Sequence, residues 1–154
     1  MTVSARSRAD VAAALQDIQA PVKDRLDRVT DEMWRIVSAD LPIVAEVNQH
    51  LAGMKGKMFR PTLVLLASSA DDRSEPRAVT LAATLEVLHL ATLVHDDAVD
   101  HSVLRRGMPT INALFSHQVS VIMGDLLYAR ALTEIVRLND WDVARVFADA
   151  STTM

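Results

Sequence analysis

The sequence has no cysteine, only four glycines, and aromatic residues make up just 4% of it. Without cysteine there is no disulfide framework and no thiol chemistry, which suits a reducing, cytoplasmic setting. A net charge of -4 with no basic stripe gives no ground for nucleic-acid binding. The first fifteen residues, MTVSARSRADVAAAL, lack the apolar core of a signal peptide. No uninterrupted apolar run reaches the ~20 residues that span a bilayer, so a membrane-spanning chain is not expected. Internal repeats, low-complexity tracts and period-2 strand patterns are also missing. What is abundant is Ala, Leu and Val. Half of the residues are hydrophobic, which predicts an all-α fold with one helical domain over 1–154, residues 1–8 being disordered.

Taken in order, Asp10 caps a short helix through Ala20, and Pro21 suits the first turn of a second. That second helix carries an apolar stripe of Val22, Leu26, Val29, Met33, Ile36 and Val37. Asp40 caps a third, with Pro42 in its first turn and Gly53 past its end. Pro61 opens an apolar helix, TLVLLASSA. DDRSEPR, residues 71–77, is a polar connection, and Pro76 starts a long central helix. Pro109 and Thr110 open a short helix, a buried one runs from about Val119 to Leu138, and an amphipathic one follows from Trp141. Gly124 lets helices pack closely, and Asp125 reads as a paired structural acid.

The chain is organised around Leu85 to Gly107, LEVLHLATLVHDDAVDHSVLRRG. Its first half is apolar on nearly every face, the mark of a helix buried all round. Its second half sets Asp96, Asp97 and Asp100 beside Arg105 and Arg106. On an ideal helix, Asp96, Asp100 and Asp97 fall at roughly 0°, 40° and 100°, one arc. Carboxylates so close repel unless a cation sits among them. Hard oxygen ligands without cysteine favour Mg²⁺, which takes one or two carboxylates plus substrate phosphates. Arg105 and Arg106 can supply fork-shaped phosphate contacts. A solvated acidic helix end with ordinary surface ion pairs is the plain alternative. His89 lies about 20° off the direction of Asp96 and roughly 10 Å deeper. Thr92 is one turn below Asp96, and Leu85 and Leu88 continue down that side. The expected cavity therefore has a charged, metal-binding mouth and an apolar floor, fit for a diphosphate with a hydrocarbon tail.

Upstream, GMKGKMFRP (residues 53–61) is a basic loop with Lys57 and Arg60 after its second glycine, opening onto a helix N-terminus that favours anions. It lacks the glycine and Lys-Ser/Thr spacing of a Walker A loop. Together, GKMFRP, LHLATLVHDDAVDHSVLRRGMPTIN and GDLLYARA resemble, in order and spacing, segments of the trans-type (E-configured) isoprenyl diphosphate synthases. The resemblance covers about residues 53–131. It implies an all-helical isoprenoid-synthase-like bundle, Mg²⁺, and condensation of an allylic diphosphate with isopentenyl diphosphate. By the same resemblance Asp96 and Asp100, with Asp97 supporting, hold the metal that grips the allylic diphosphate, and Arg105 contacts it. Lys57, Arg60, His89 and Arg106 hold isopentenyl diphosphate. Bulky aromatics four and five residues before the first aspartate keep products short in that family. Here those positions are Thr92 and Ala91, which implies a medium-to-long polyprenyl product.

Two departures stand out. Met58 occupies a position that is usually basic in that family. The family also carries a second aspartate-rich motif and a later lysine, and nothing after Arg130 matches them. The chain is thus expected to be about the first half of the family fold and inactive alone: a fragment, a truncated reading frame, or a chain completed by a homodimer or a second chain. The other readings are a non-catalytic helical partner subunit, or an HD-type metal phosphohydrolase built from His89, the His95-Asp96 doublet and Asp125.

Overall fold

The computed structural model describes residues 8–54, 56–70 and 75–153. The order is α1 (Arg8–Gln19), a 3-10 turn (Ala20–Val22), α2 (Lys23–Val37), α3 (Pro42–Gly53), α4 (Phe59–Ser69), α5 (Glu75–Val99), a hairpin of β1 (Leu104–Arg105) and β2 (Met108–Pro109), α6 (Ile111–Leu114), α7 (His117–Arg137) and α8 (Trp141–Ser151). The all-α class holds, and the hairpin is the departure from it. Of the expected disordered segment 1–8, residues 1–7 lie outside the described residues, and Arg8 already begins α1.

α5 is the axis. It packs most extensively against α7, then against α2 and α4. Ala82, Ala83, Ala91 and Ala98 are fully buried on it, and so small a side chain lets neighbouring helices come close. α7 answers with Met123, Leu127, Ala131 and Ile135, a strict i+4 row. α2 buries Leu26, Val29, Ile36 and Val37, as its stripe predicted. By length and composition the stretch Pro76–Val99 is apolar enough to cross a membrane, but Arg77, Glu86, Asp96 and Asp97 interrupt it, and half of its most apolar window is buried inside the fold.

Several boundaries shift for local reasons. Pro21 sits in the 3-10 turn, so α2 starts two residues later. Leu41, not Asp40, is the N-cap of α3, and Gly53 is its last residue. Pro61 is the third residue of α4, where its missing N–H costs nothing. Pro109 pairs in β2, leaving Thr110 to cap α6 by accepting a bond from the Ala113 N–H at 3.2 Å. Ser116 and Asp140 cap α7 and α8 in the same way.

A charge cluster centred on buried Glu134 ties α2 to α7. The Glu134 carboxylate accepts from Arg35 Nη2 and Arg137 Nη1, each at 2.7 Å. Glu32 bonds Arg35 and Thr80, and the Arg35 guanidinium holds the Glu32 carboxyl below its ordinary value. These bonds fix the helices that carry the site.

Candidate functional site

The acidic end of α5 does not gather its three carboxylates at one point. Asp96 and Asp100 are exposed, one turn apart, and the Asp100 N–H donates to the Asp96 carbonyl at 2.8 Å. Asp97 is only 6% exposed. Its Oδ2 accepts from Arg105 Nε at 2.7 Å, pinning the hairpin to the helix. That bond, with Asp96 and Asp100 acting at longer range, raises the Arg105 pKa. Among the described residues no three His, Cys, Asp or Glu side chains already form a metal cage. Two exposed hard carboxylates one turn apart still match what Mg²⁺ needs when phosphate and water complete its shell.

The hairpin sets the direction of the arginines. Leu104 pairs with Pro109 and Arg105 with Met108, leaving the two-residue turn Arg106-Gly107. Both turn residues have positive φ, 52° and 81°, as a type I′ turn requires. Glycine adopts this freely, whereas Arg106 does so at a cost of roughly 1–2 kcal/mol. The turn brings Arg106 over the basic loop: a Cβ built on Gly56 would lie 3.6 Å from Arg106 Nη1 and 3.5 Å from Glu86 Oε1.

Beneath this lies a cavity of about 390 Å³. Arg105, Arg106, Asp97, Glu86 and His89 supply its charged and polar lining, and Met33, Trp34, Leu51, Leu90, Leu93 and Ile111 its apolar walls. The charged mouth and apolar interior match the sequence reading. The wall does not. α5 lines the cavity with Glu86, His89, Leu90, Leu93, Val94 and Asp97, centred on the stripe facing α2 and α3, so Leu85, Leu88 and Thr92 fall on another face. Ala91 is fully buried. Thr92 is half-buried, its Oγ1 donating to the His89 carbonyl at 2.8 Å.

Burial, then the nearby guanidiniums of Arg60, Arg106 and Arg105, push the His89 pKa below its usual value, with Asp96 opposing. The imidazole is therefore neutral at pH 7 and can accept as well as donate a hydrogen bond. Glu86, one turn before His89, escaped the sequence reading. Burial raises its pKa despite Arg60 and Arg106, and its Oε2 is enclosed without a hydrogen-bond partner among the described residues. The signal was a lone acid inside an apolar run.

The four residues expected to hold isopentenyl diphosphate are split. Arg60 and Arg106 both stand near enough to His89 to lower its pKa. Lys57 instead lines a second cavity, of about 880 Å³, with Gln16, Gln19, Lys23 and Asp27. Gly56 and Met58 form the wall common to both. The constellation of the phosphohydrolase reading is not assembled: His95 Nε2 lies 3.1 Å from Asp125 Oδ1 across the α5–α7 seam, while His89 faces the cavity against α2. As expected, Gly124 permits that seam, since a Cβ there would lie 2.4 Å from the His95 ring.

Residues 41–154 match the family model described as Polyprenyl synthetase. The chain belongs to that family. A Rhodobacter capsulatus all-trans-nonaprenyl-diphosphate synthase (geranyl-diphosphate specific) is 40% identical over 134 residues, 86% of this chain and 41% of that protein. A prenyl transferase from Synechocystis sp. is 39% identical over 133 residues, 84% of this chain and 41% of that protein. Among solved structures, a polyprenyl synthase from Caulobacter crescentus, complexed with calcium and isoprenyl diphosphate, aligns with a TM-score of 0.84 at 30% identity. The alignment covers 90% of this chain and 42% of that one. The chain spans about two fifths of the length of the curated relatives it matches. All the sequence segments singled out above, from GKMFRP to GDLLYARA, fall inside the Polyprenyl synthetase match.

Proposed function

We propose that this chain carries the diphosphate-binding half of a trans-prenyltransferase, which joins an allylic diphosphate to isopentenyl diphosphate and builds a medium-to-long polyprenyl diphosphate. One observation carries the reading. An exposed carboxylate pair, Asp96 and Asp100, stands on the same helix end as a hairpin that offers Arg105 and Arg106 above an apolar-walled cavity. Asp96 and Asp100 would hold Mg²⁺, which supplies charge neutralisation for a departing diphosphate. Asp97 serves by fixing Arg105, whose guanidinium meets the allylic diphosphate and stabilises negative charge as the C–O bond ionises. Arg60, Arg106 and neutral His89, with Lys57 from the far side of the loop, hold the second diphosphate. The apolar walls exclude the water that would quench an allylic cation. Neither Ala91 nor Thr92 lines this cavity, but both are small, so no bulky side chain stops a tail running along the neighbouring face of α5, which supports a longer product. A further polypeptide segment closes the site.

The test is thermal stability. Mg²⁺ with an allylic diphosphate should raise Tm more than the two separate shifts added together, because ligands bound only by the folded state stabilise it. Asp96→Ala with Asp100→Ala should remove that synergy. An unchanged shift in the double variant sinks the assignment.

A further inference from the structure

The basic loop before α4 sits in a pose it does not hold by itself. Met58 has φ 50° and ψ 34°, a left-handed backbone that is unfavourable for a residue with a side chain. Met58 also gives α4 no side-chain cap. Gln19, the last residue of α1, reaches across and spends both amide protons on this segment. Its Nε2 donates to the Lys57 carbonyl at 2.9 Å and to Thr62 Oγ1 at 3.0 Å. Buried Thr62 completes the link, donating from its Oγ1 to the Met58 carbonyl at 2.7 Å. One side chain thus bridges the Lys57 and Met58 carbonyls, on the two sides of the Met58 α-carbon, directly and through a hydroxyl. The same loop holds Gly56 within contact of Arg106 and Glu86.

We infer that Gln19 is a positioning residue: its amide fixes the Gly56–Met58 loop, and so the placement of Lys57 and of Gly56 beneath Arg106. The inference rests on the diphosphate reading for its functional consequence, but its structural part stands on these bonds alone. α1 lies before the residues that the family model matches. The anion site would therefore depend on a helix outside that match. Leucine at position 19 keeps the bulk of glutamine and removes both donors.

The experiment uses the 154-residue chain with isopentenyl diphosphate in EDTA, so that no metal contributes. Gln19→Leu should raise hydrogen exchange at Thr62, whose N–H closes the first turn of α4 on the Met58 carbonyl, by about tenfold or more while α5 amides stay protected. Binding measured by calorimetry should weaken about fivefold in Gln19→Leu and in Lys57→Ala. The double variant should be no weaker than Lys57→Ala alone, because Lys57 contributes only from a held loop. Unchanged exchange in Gln19→Leu overturns the inference, and so do strictly additive losses. If the unmodified chain binds no isopentenyl diphosphate, the proposed function fails, and the exchange result still decides whether Gln19 holds the loop.

Discussion

Gly124→Ala should destabilise the protein, although alanine is the better helix former. A Cβ at position 124 would lie 2.4 Å from both Cδ2 and Nε2 of His95 and 2.9 Å from Cε1. Ordinary contact begins near 3.4 Å, so the ring must retreat by roughly 1 Å or the helices must part. Retreat pulls His95 Nε2 from Asp125 and from the Val121 carbonyl. Overpacking of this kind costs about 1–3 kcal/mol, and with three ring atoms struck the upper end applies. Gly→Ala in a helix interior returns about 1 kcal/mol. The net loss is about 2 kcal/mol, or roughly 4–8 °C in Tm for a chain of this size. In a His95→Ala background the overlap is gone, and the same substitution should stabilise by up to about 1 kcal/mol. Urea unfolding of the four proteins reads both numbers. A stabilising Gly124→Ala on the natural background, or an equal effect in both, would refute the claim that His95 is the obstacle.

Glu86→Gln should raise Tm at pH 7–8 by roughly 2 °C or more and change it little at pH 4, as measured by calorimetry across pH. The sign follows from its raised pKa. Stability from the protonated carboxyl is present below the ordinary value and lost as pH rises through the folded-state value. His89 acts the opposite way: with its pKa lowered, the contribution of its neutral form is present above the ordinary 6.5 and lost as pH falls. His89→Gln should therefore flatten the acid limb of the Tm profile between pH 7 and 5. Arg35→Ala should cost about 1–2 kcal/mol, because Glu134 stays buried with Arg137 alone. The same variant should also weaken the loss of stability below pH 4.5, since Arg35 is what lowers the Glu32 pKa. Thr92→Phe should be tolerated and, where the tail runs along the Leu85, Leu88 and Thr92 face rather than through the cavity, shorten the products of a completed enzyme. Ala91→Phe should mainly destabilise, since its methyl is fully buried. Chromatography of prenyl products beside Tm separates the two.

The long elements were legible because their periodicity is strong. The α2 stripe and α7 appear nearly where the sequence puts them, and Gly124 faces the neighbour its missing side chain suggested. The hairpin was not legible. Two-residue strands are too short for any period-2 pattern, and a type I′ turn is normally betrayed by Asn-Gly or Asp-Gly. Here Arg106 takes the first of those places, and only Gly107 marks the turn. The shifted starts of α2 and α4 have one cause. Proline tolerates any place in a first turn or a 3-10 turn, so it points to a helix start without fixing the residue.

The carboxylates show where a helical wheel stops informing. The wheel correctly puts Asp96, Asp97 and Asp100 within one broad arc, but an arc of 100° spans two different neighbours. Asp97 belongs to the row Glu86, Leu90, Leu93, Asp97, which faces α2 and α3 across the cavity. Asp96 belongs to the row through Leu85, His89 and Thr92, of which His89 alone reaches that cavity. Burial and Arg105 claim the first carboxylate, and solvent keeps the other two. The division is functional logic as well as geometry. A carboxylate locked to an arginine can aim that arginine, and an exposed pair can accept a cation. Three equivalent exposed acids would do neither as well, because each would raise the electrostatic cost of the next. The row 86–90–93–97 could have been read from the sequence as an apolar stripe ending in an acid. Which stripe meets which helix depends on α2 and α3 folding back over α5, and that is decided by tertiary packing rather than by any local pattern.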